Sequence, residues 1–140
     1  MAAETGRDVE ATSGWPTLRV FRIVAWVFVA CLVVQFFLVG LDVFEADPGD
    51  LHRDFAYTYG WLTPALVVLA GLGRLPSRLQ AMAVLLLVLF GVQTYLPTIA
   101  EQLPWLAAFH AVTALVVVWL AVRVARAAGR RPIVPGTTDR

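Results

Sequence analysis

Four long apolar segments, separated by short polar connections, set the strongest constraint on what this chain can fold into. They lie at about residues 20–41, 48–72, 79–96 and 104–126. A helix needs about 20 consecutive apolar residues to cross the hydrocarbon core of a bilayer. The composition agrees, since only 15% of the residues are charged, whereas a soluble domain carries about a quarter charged residues. The sequence therefore predicts an integral membrane protein.

The predicted fold class is all-α, because a backbone in lipid has to satisfy its own hydrogen bonds. Three short connections between four helices predict an up-down-up-down antiparallel four-helix bundle over residues 19–126. The first segment is too long for the apolar core of a cleaved signal peptide, so we expect a retained span. Residues 1–18 and 127–140 are polar and are predicted to be disordered cytoplasmic tails. The sequence shows no apparent internal repeat.

The distribution of arginine predicts the orientation. All 11 basic residues are arginine, and ten of them lie in the tail through Arg22, in the connection at 74–78 or beyond Val122. Arg53 alone lies on the opposite side, where the connections are acidic. Cytoplasmic loops of membrane proteins carry an excess of basic residues. Both termini are therefore predicted to be cytoplasmic.

Polar residues inside the predicted spans are concentrated in the outer half of each helix. Such residues are costly in lipid and commonly mark functional sites. They are Gln35, His52, Tyr59, Thr63, Gln93, Thr94, His110 and Thr113.

The two histidines are predicted to lie at similar depths, roughly 6 and 9 Å below the starts of their helices at 1.5 Å per residue. In a simple bundle the second and fourth helices are diagonal, with axes roughly 14 Å apart. That gap suits an iron between two imidazoles, each with a metal–nitrogen bond of about 2 Å. A haem b site with His52 and His110 as metal ligands is therefore the most specific hypothesis for the pair. Arg53 would pair with a haem propionate.

Two other interpretations of the histidines stay open. They fit hydrogen-bonded residues of a structural or accessory membrane subunit that has no cofactor, with Asp54 as the partner of Arg53. They also fit a proton-linked role. The sequence has no phosphate-binding loop and no nucleophile motif, and we predict no catalytic residues. The expected partners are the lipid bilayer and a second membrane or redox protein, with no nucleic acid.

Two short elements carry a resemblance to known proteins. Leu51-His52-Arg53 opens the second helix, and Trp105-Leu106-Ala107-Ala108-Phe109-His110 begins the fourth. With them, residues 19–126 resemble a family of small four-helix bacterial membrane proteins, common in actinobacteria, that is a domain of unknown function. That resemblance implies the plasma (inner) membrane of a bacterium.

The layout is also distantly similar to one four-helix half of haem A synthase, in which histidines of the second and fourth helices face a haem. That likeness implies haem ligation by His52 and His110. The enzyme carries a glutamate one turn before its first histidine, where this chain has Pro48. Its catalytic chemistry is therefore not implied.

Overall fold

The computed structural model describes residues 2–44 and 50–129, with side chains from Pro16 onward. Within these ranges the chain is all-helical and contains no strand. The helices are α1 (Ala2–Val43), α2 (Leu51–Gly60), α3 (Leu62–Leu72), α4 (Ser77–Tyr95), a 3₁₀ helix (Leu96–Ile99), α5 (Pro104–Ala107) and α6 (Phe109–Ala127).

Four stretches of these helices are long and apolar enough to cross a membrane. They are Pro16–Val43, Leu51–Leu72, Ser77–Ile99 and Pro104–Ala127, and are called the first to fourth spans below. Each one coincides with an apolar segment of the sequence analysis. The prediction of four apolar helices is therefore confirmed.

The helix boundaries differ from the sequence analysis at several ends. Helix α1 includes residues 2–18, for which a disordered tail is predicted. Extending a helix that is already nucleated gains one hydrogen bond per residue, whereas starting a new one is unfavourable. Helix α2 begins at Leu51 with Asp50 at its N-cap. The predicted start at Pro48 and residues 130–140 of the second tail lie outside the described residues.

The second span is interrupted at Trp61, between α2 and α3. Pro64 causes the interruption, because it has no N–H to donate to the Gly60 carbonyl. The Thr63 hydroxyl donates to that carbonyl instead, at 2.9 Å. The fourth span is similarly interrupted at Ala108, one residue before α6.

The four spans pack in a ring around a shared apolar core. Helix α3 contacts α1 and α4, and α6 contacts α4 and α1. Fully buried side chains come from every span: Phe21, Phe28, Leu66, Leu86, Val117 and Val124. Large apolar side chains such as Phe37 and Trp61 remain on the outer surface, 65% and 78% exposed. A lipid environment would cover that surface.

Candidate functional site

His52 and His110 face each other at one end of the bundle. His52 lies in the first turn of α2 and His110 near the start of α6. Their ring centroids are 6.4 Å apart, with the ring planes at 78°. The two histidines that the sequence analysis paired are therefore close in space.

Both histidines line one cavity of about 790 Å³. This volume lies within the range of about 300–1,000 Å³ that is usual for cofactor and small-molecule sites. All four spans contribute to the walls, with Leu32 and Phe36 from the first and Phe90 from the third. Most of the lining is apolar, and the polar groups gather around the histidines. The cavity is thus suited to an apolar ligand that has a few polar contact points.

Gln35 of the first span holds His52. Its amide nitrogen Nε2 donates to His52 Nδ1 at 2.8 Å and to the His52 carbonyl oxygen at 2.9 Å. Its amide oxygen Oε1 is buried and has no hydrogen-bond partner. A buried acceptor without a donor typically costs about 1–3 kcal/mol.

Gln93 of the third span holds His110 in a more complete network. His110 Nδ1 donates to the Gln93 carbonyl oxygen at 2.9 Å. The Gln93 amide nitrogen Nε2 donates to His110 Nε2 at 3.1 Å. The Thr113 hydroxyl donates to Gln93 Oε1. Both polar atoms of the Gln93 side-chain amide, Nε2 and Oε1, therefore make hydrogen bonds.

Arg53 lies at the edge of the cavity and is paired with carboxylates. Its Nη2 lies 2.5 Å from Asp50 Oδ2, and its Nε lies 3.9 Å from Asp54 Oδ1. The sequence analysis named Asp54 as the partner of Arg53 in the absence of haem, and Asp50 is the nearer one. The Arg53 and Asp50 side chains are both 60% exposed, so this pair adds little stability.

The described residues contain no group of three or more His, Cys, Asp or Glu side chains that could hold a metal ion. Two imidazoles alone suit a metal whose other ligands are brought by a cofactor, as in haem. Two metal–nitrogen bonds of about 2 Å plus about 1 Å of ring radius on each side require about 6 Å between ring centres. The separation of 6.4 Å matches that requirement, and the donor set fits haem.

The sequence analysis noted Gln35 and Gln93 as polar residues but missed their role as partners of the histidines. The signal is their spacing, because each glutamine precedes its histidine by 17 residues. Gln93 follows Gln35 by 58 positions, and His110 follows His52 by the same number. The chain thus carries the same glutamine–histidine pair twice.

The same shift of 58 positions relates the cores of the two halves. Buried residues Phe21, Ala25, Phe28 and Leu32 correspond to buried Leu79, Ala83, Leu86 and Phe90. Buried residues Tyr59, Thr63, Leu66 and Ala70 correspond to buried Val117, Ala121, Val124 and Ala128. The sequence analysis found no internal repeat, and that interpretation was wrong. Spans one and two form one repeat, and spans three and four form the other.

Residues 35–99 match a family of unknown function (DUF6220). The match includes Gln35, His52 and Gln93 and ends before His110. It agrees with the resemblance to a domain of unknown function. No curated protein and no solved structure matches the chain.

Proposed function

We propose that this chain crosses the bacterial plasma (inner) membrane four times in alternating directions, with both termini in the cytoplasm. Contacts at the two ends of the spans support the alternation. Gln35, late in the first span, bonds His52 at the start of the second. A Cβ on Gly73, just past the second span, would lie 2.7 Å from Thr17 at the start of the first. Arginine is in excess at the end of the bundle where Gly73 lies near Thr17, which supports a cytoplasmic location for that end.

In this orientation the cavity lined by the two histidines faces outward. We further propose that it binds haem b between His52 and His110. The observation that carries this proposal is the separation of 6.4 Å between two imidazoles that line the same cavity. The Nδ1–H of His110 donates to a backbone carbonyl, and a histidine that binds a metal through Nε2 commonly has this hydrogen bond.

In this proposal each group around the cavity has a separate part. His52 and His110 would hold the haem iron, and the apolar walls would exclude water from the site. Arg53, at the edge of the cavity, would leave Asp50 to contact a propionate. A haem held by two protein ligands supplies one-electron redox chemistry. The physiological role would be electron transfer or haem handling with a redox partner.

Absorption spectroscopy of the protein purified after expression with ample haem tests this proposal. We expect a Soret band and, on reduction, the sharp α and β bands of low-spin six-coordinate iron. His52→Ala and His110→Ala should each abolish or convert that spectrum. Gln93→Ala is the control, because the Gln93 carbonyl that holds His110 Nδ1 belongs to the backbone and survives the substitution. A folded, haem-replete and colourless wild-type protein would refute haem binding.

A second candidate function is a structural or accessory membrane subunit without a cofactor. One observation favours it: Gln35 and Gln93 already supply each imidazole with hydrogen bonds from neighbouring spans. The glutamine–histidine pairs would then join the first span to the second and the third to the fourth. Under this alternative, the alanine variants would lower thermal stability and the purified protein would be colourless.

A further inference from the structure

We infer that Gln35 and Gln93 hold the two histidines in opposite neutral tautomers. His110 carries its proton on Nδ1, and His52 carries its proton on Nε2. His110 then has a lone pair on Nε2 with which to bind a metal, whereas His52 could bind through Nε2 only after its proton moves. The tautomers follow from the hydrogen bonds alone, and only the consequence for a metal rests on the function proposed above.

The tautomer of His110 is set by a main-chain acceptor. The Gln93 carbonyl oxygen lies 2.9 Å from His110 Nδ1 and has no proton of its own to give. Nδ1 must therefore carry the hydrogen, which leaves a lone pair on Nε2 of the neutral ring. That lone pair accepts from the Gln93 amide nitrogen at 3.1 Å. The amide is held in this orientation because its oxygen accepts from Thr113.

The tautomer of His52 is set by a side-chain donor. Gln35 Nε2 lies 2.9 Å from the His52 carbonyl oxygen, which accepts only. Turning the amide over would bring two oxygen acceptors together at that place. Gln35 Nε2 is therefore a donor there. It lies 2.8 Å from His52 Nδ1 and 3.5 Å from His52 Nε2, so its second hydrogen is assigned to the nearer Nδ1. Because Nδ1 accepts, the proton of the neutral His52 ring lies on Nε2.

The repeat shows why the two sides differ. Position 113 is a threonine whose hydroxyl satisfies Gln93, whereas the corresponding position in the first half is Phe55. Phenylalanine has no donor, and Gln35 Oε1 is left buried without a partner. The Gln35 amide is thus the less satisfied of the two. Turning this amide to accept from a proton on His52 Nδ1 would give up its hydrogen bond to the His52 carbonyl oxygen.

The two histidines are therefore unequal ligands. His110 needs only the displacement of the Gln93 amide from Nε2. For His52 to bind through the same atom, its proton has to move from Nε2 to Nδ1 and the Gln35 amide has to reverse. Groups that orient a ligating histidine typically change metal affinity by about 10–100-fold. Gln35 is a positioning residue in this sense, and for His110 the same part belongs to the Gln93 main-chain carbonyl.

Nitrogen-15 NMR of histidine-labelled, haem-free protein in detergent tests the tautomers directly. Protonated and unprotonated ring nitrogens have well-separated shifts, and couplings to the ring protons distinguish Nδ1 from Nε2. At about pH 8, where free imidazole is neutral, we expect one ring of each tautomer. His52→Ala and His110→Ala assign the signals. Two rings of the same tautomer, or a cationic His110, would overturn the inference.

Two matched variants test whether a side chain sets the tautomer of His52 and the main chain sets that of His110. Gln35→Leu removes the donor to Nδ1, so the His52 signals should move toward a mixture of tautomers. Gln93→Leu leaves the carbonyl in place, so His110 should keep its proton on Nδ1. Equal responses in the two variants would contradict the assignment. The wild-type spectrum decides the question even if one variant does not fold.

The consequence for haem is tested separately. His52→Ala should retain haem as a five-coordinate species, and added imidazole should restore the low-spin spectrum. His110→Ala should bind haem about tenfold or more weakly than His52→Ala. Equal losses in the two variants would refute the inequality while leaving haem binding intact. A colourless wild type with opposite tautomers would refute haem binding and leave the tautomers standing.

Discussion

At the scale of single residues, Thr63 repairs the hydrogen bonding that Pro64 removes. Proline at this position leaves the Gly60 carbonyl without its usual helical donor. Thr63 is 1% exposed, and its hydroxyl donates to that carbonyl at 2.9 Å. Within a bilayer, water would not be available to a carbonyl at this position. The hydroxyl therefore supplies a donor where the second span is interrupted.

Thr63→Val should lower the free energy of unfolding by about 1–3 kcal/mol, because a buried carbonyl loses its donor. Thr58→Val is the matched control. The Thr58 hydroxyl also donates to a helix carbonyl, that of Asp54, but in an exposed position. Its substitution should change stability by less than about 0.5 kcal/mol. Thermal unfolding in detergent measures both, and equal losses would contradict this role of Thr63.

At the scale of helices, hydrophobic length predicts where each span lies but not how its ends are built. The predicted segment 79–96 differs from α4 by two residues at its start and one at its end, because apolar length in lipid is a strong signal. The 3₁₀ turn after α4 and the break at Ala108 have no comparable signal in the sequence. Those ends depend on packing between spans, which one helix does not encode alone.

Topology is tested at the same scale with reporter fusions. Fusions at Gly73 and Gly129 should read as cytoplasmic, because arginines cluster beside both positions. A fusion at Gly49 should read as external, since the neighbouring residues are acidic. A cytoplasmic signal at Gly49 would reverse the orientation and place the histidine cavity toward the cytoplasm.

At the scale of the whole molecule, the cavity belongs to all four spans, and no single helix defines it. The sequence analysis brought His52 and His110 together because depth along a helix can be read from residue counts. It missed the link from each histidine to its glutamine, because lateral contacts depend on how the helices are rotated about their axes. The repeat would have revealed both links, since the two pairs share one spacing.

Substitutions of small residues in the fourth span test whether the cavity is open. Ala114 lines the cavity, so Ala114→Leu should leave the stability of the haem-free protein within about 1 kcal/mol of wild type. Ala121, one of the repeat's buried positions, is 1% exposed. Ala121→Leu should overpack the core and cost about 1–3 kcal/mol. Equal losses in thermal stability would mean that the space beside Ala114 is filled.

The glutamine–histidine repeat also bears on how such a site can diverge. Each repeat contains two spans, so in the proposed topology both copies would enter the membrane in the same direction, related by an axis along the membrane normal. A dimer of identical two-helix subunits must place identical residues on both sides of its axis. Fusion of the two units into one polypeptide lifts that restriction. Thr113 can then occupy the position that corresponds to Phe55, and the surroundings of the two histidines can differ.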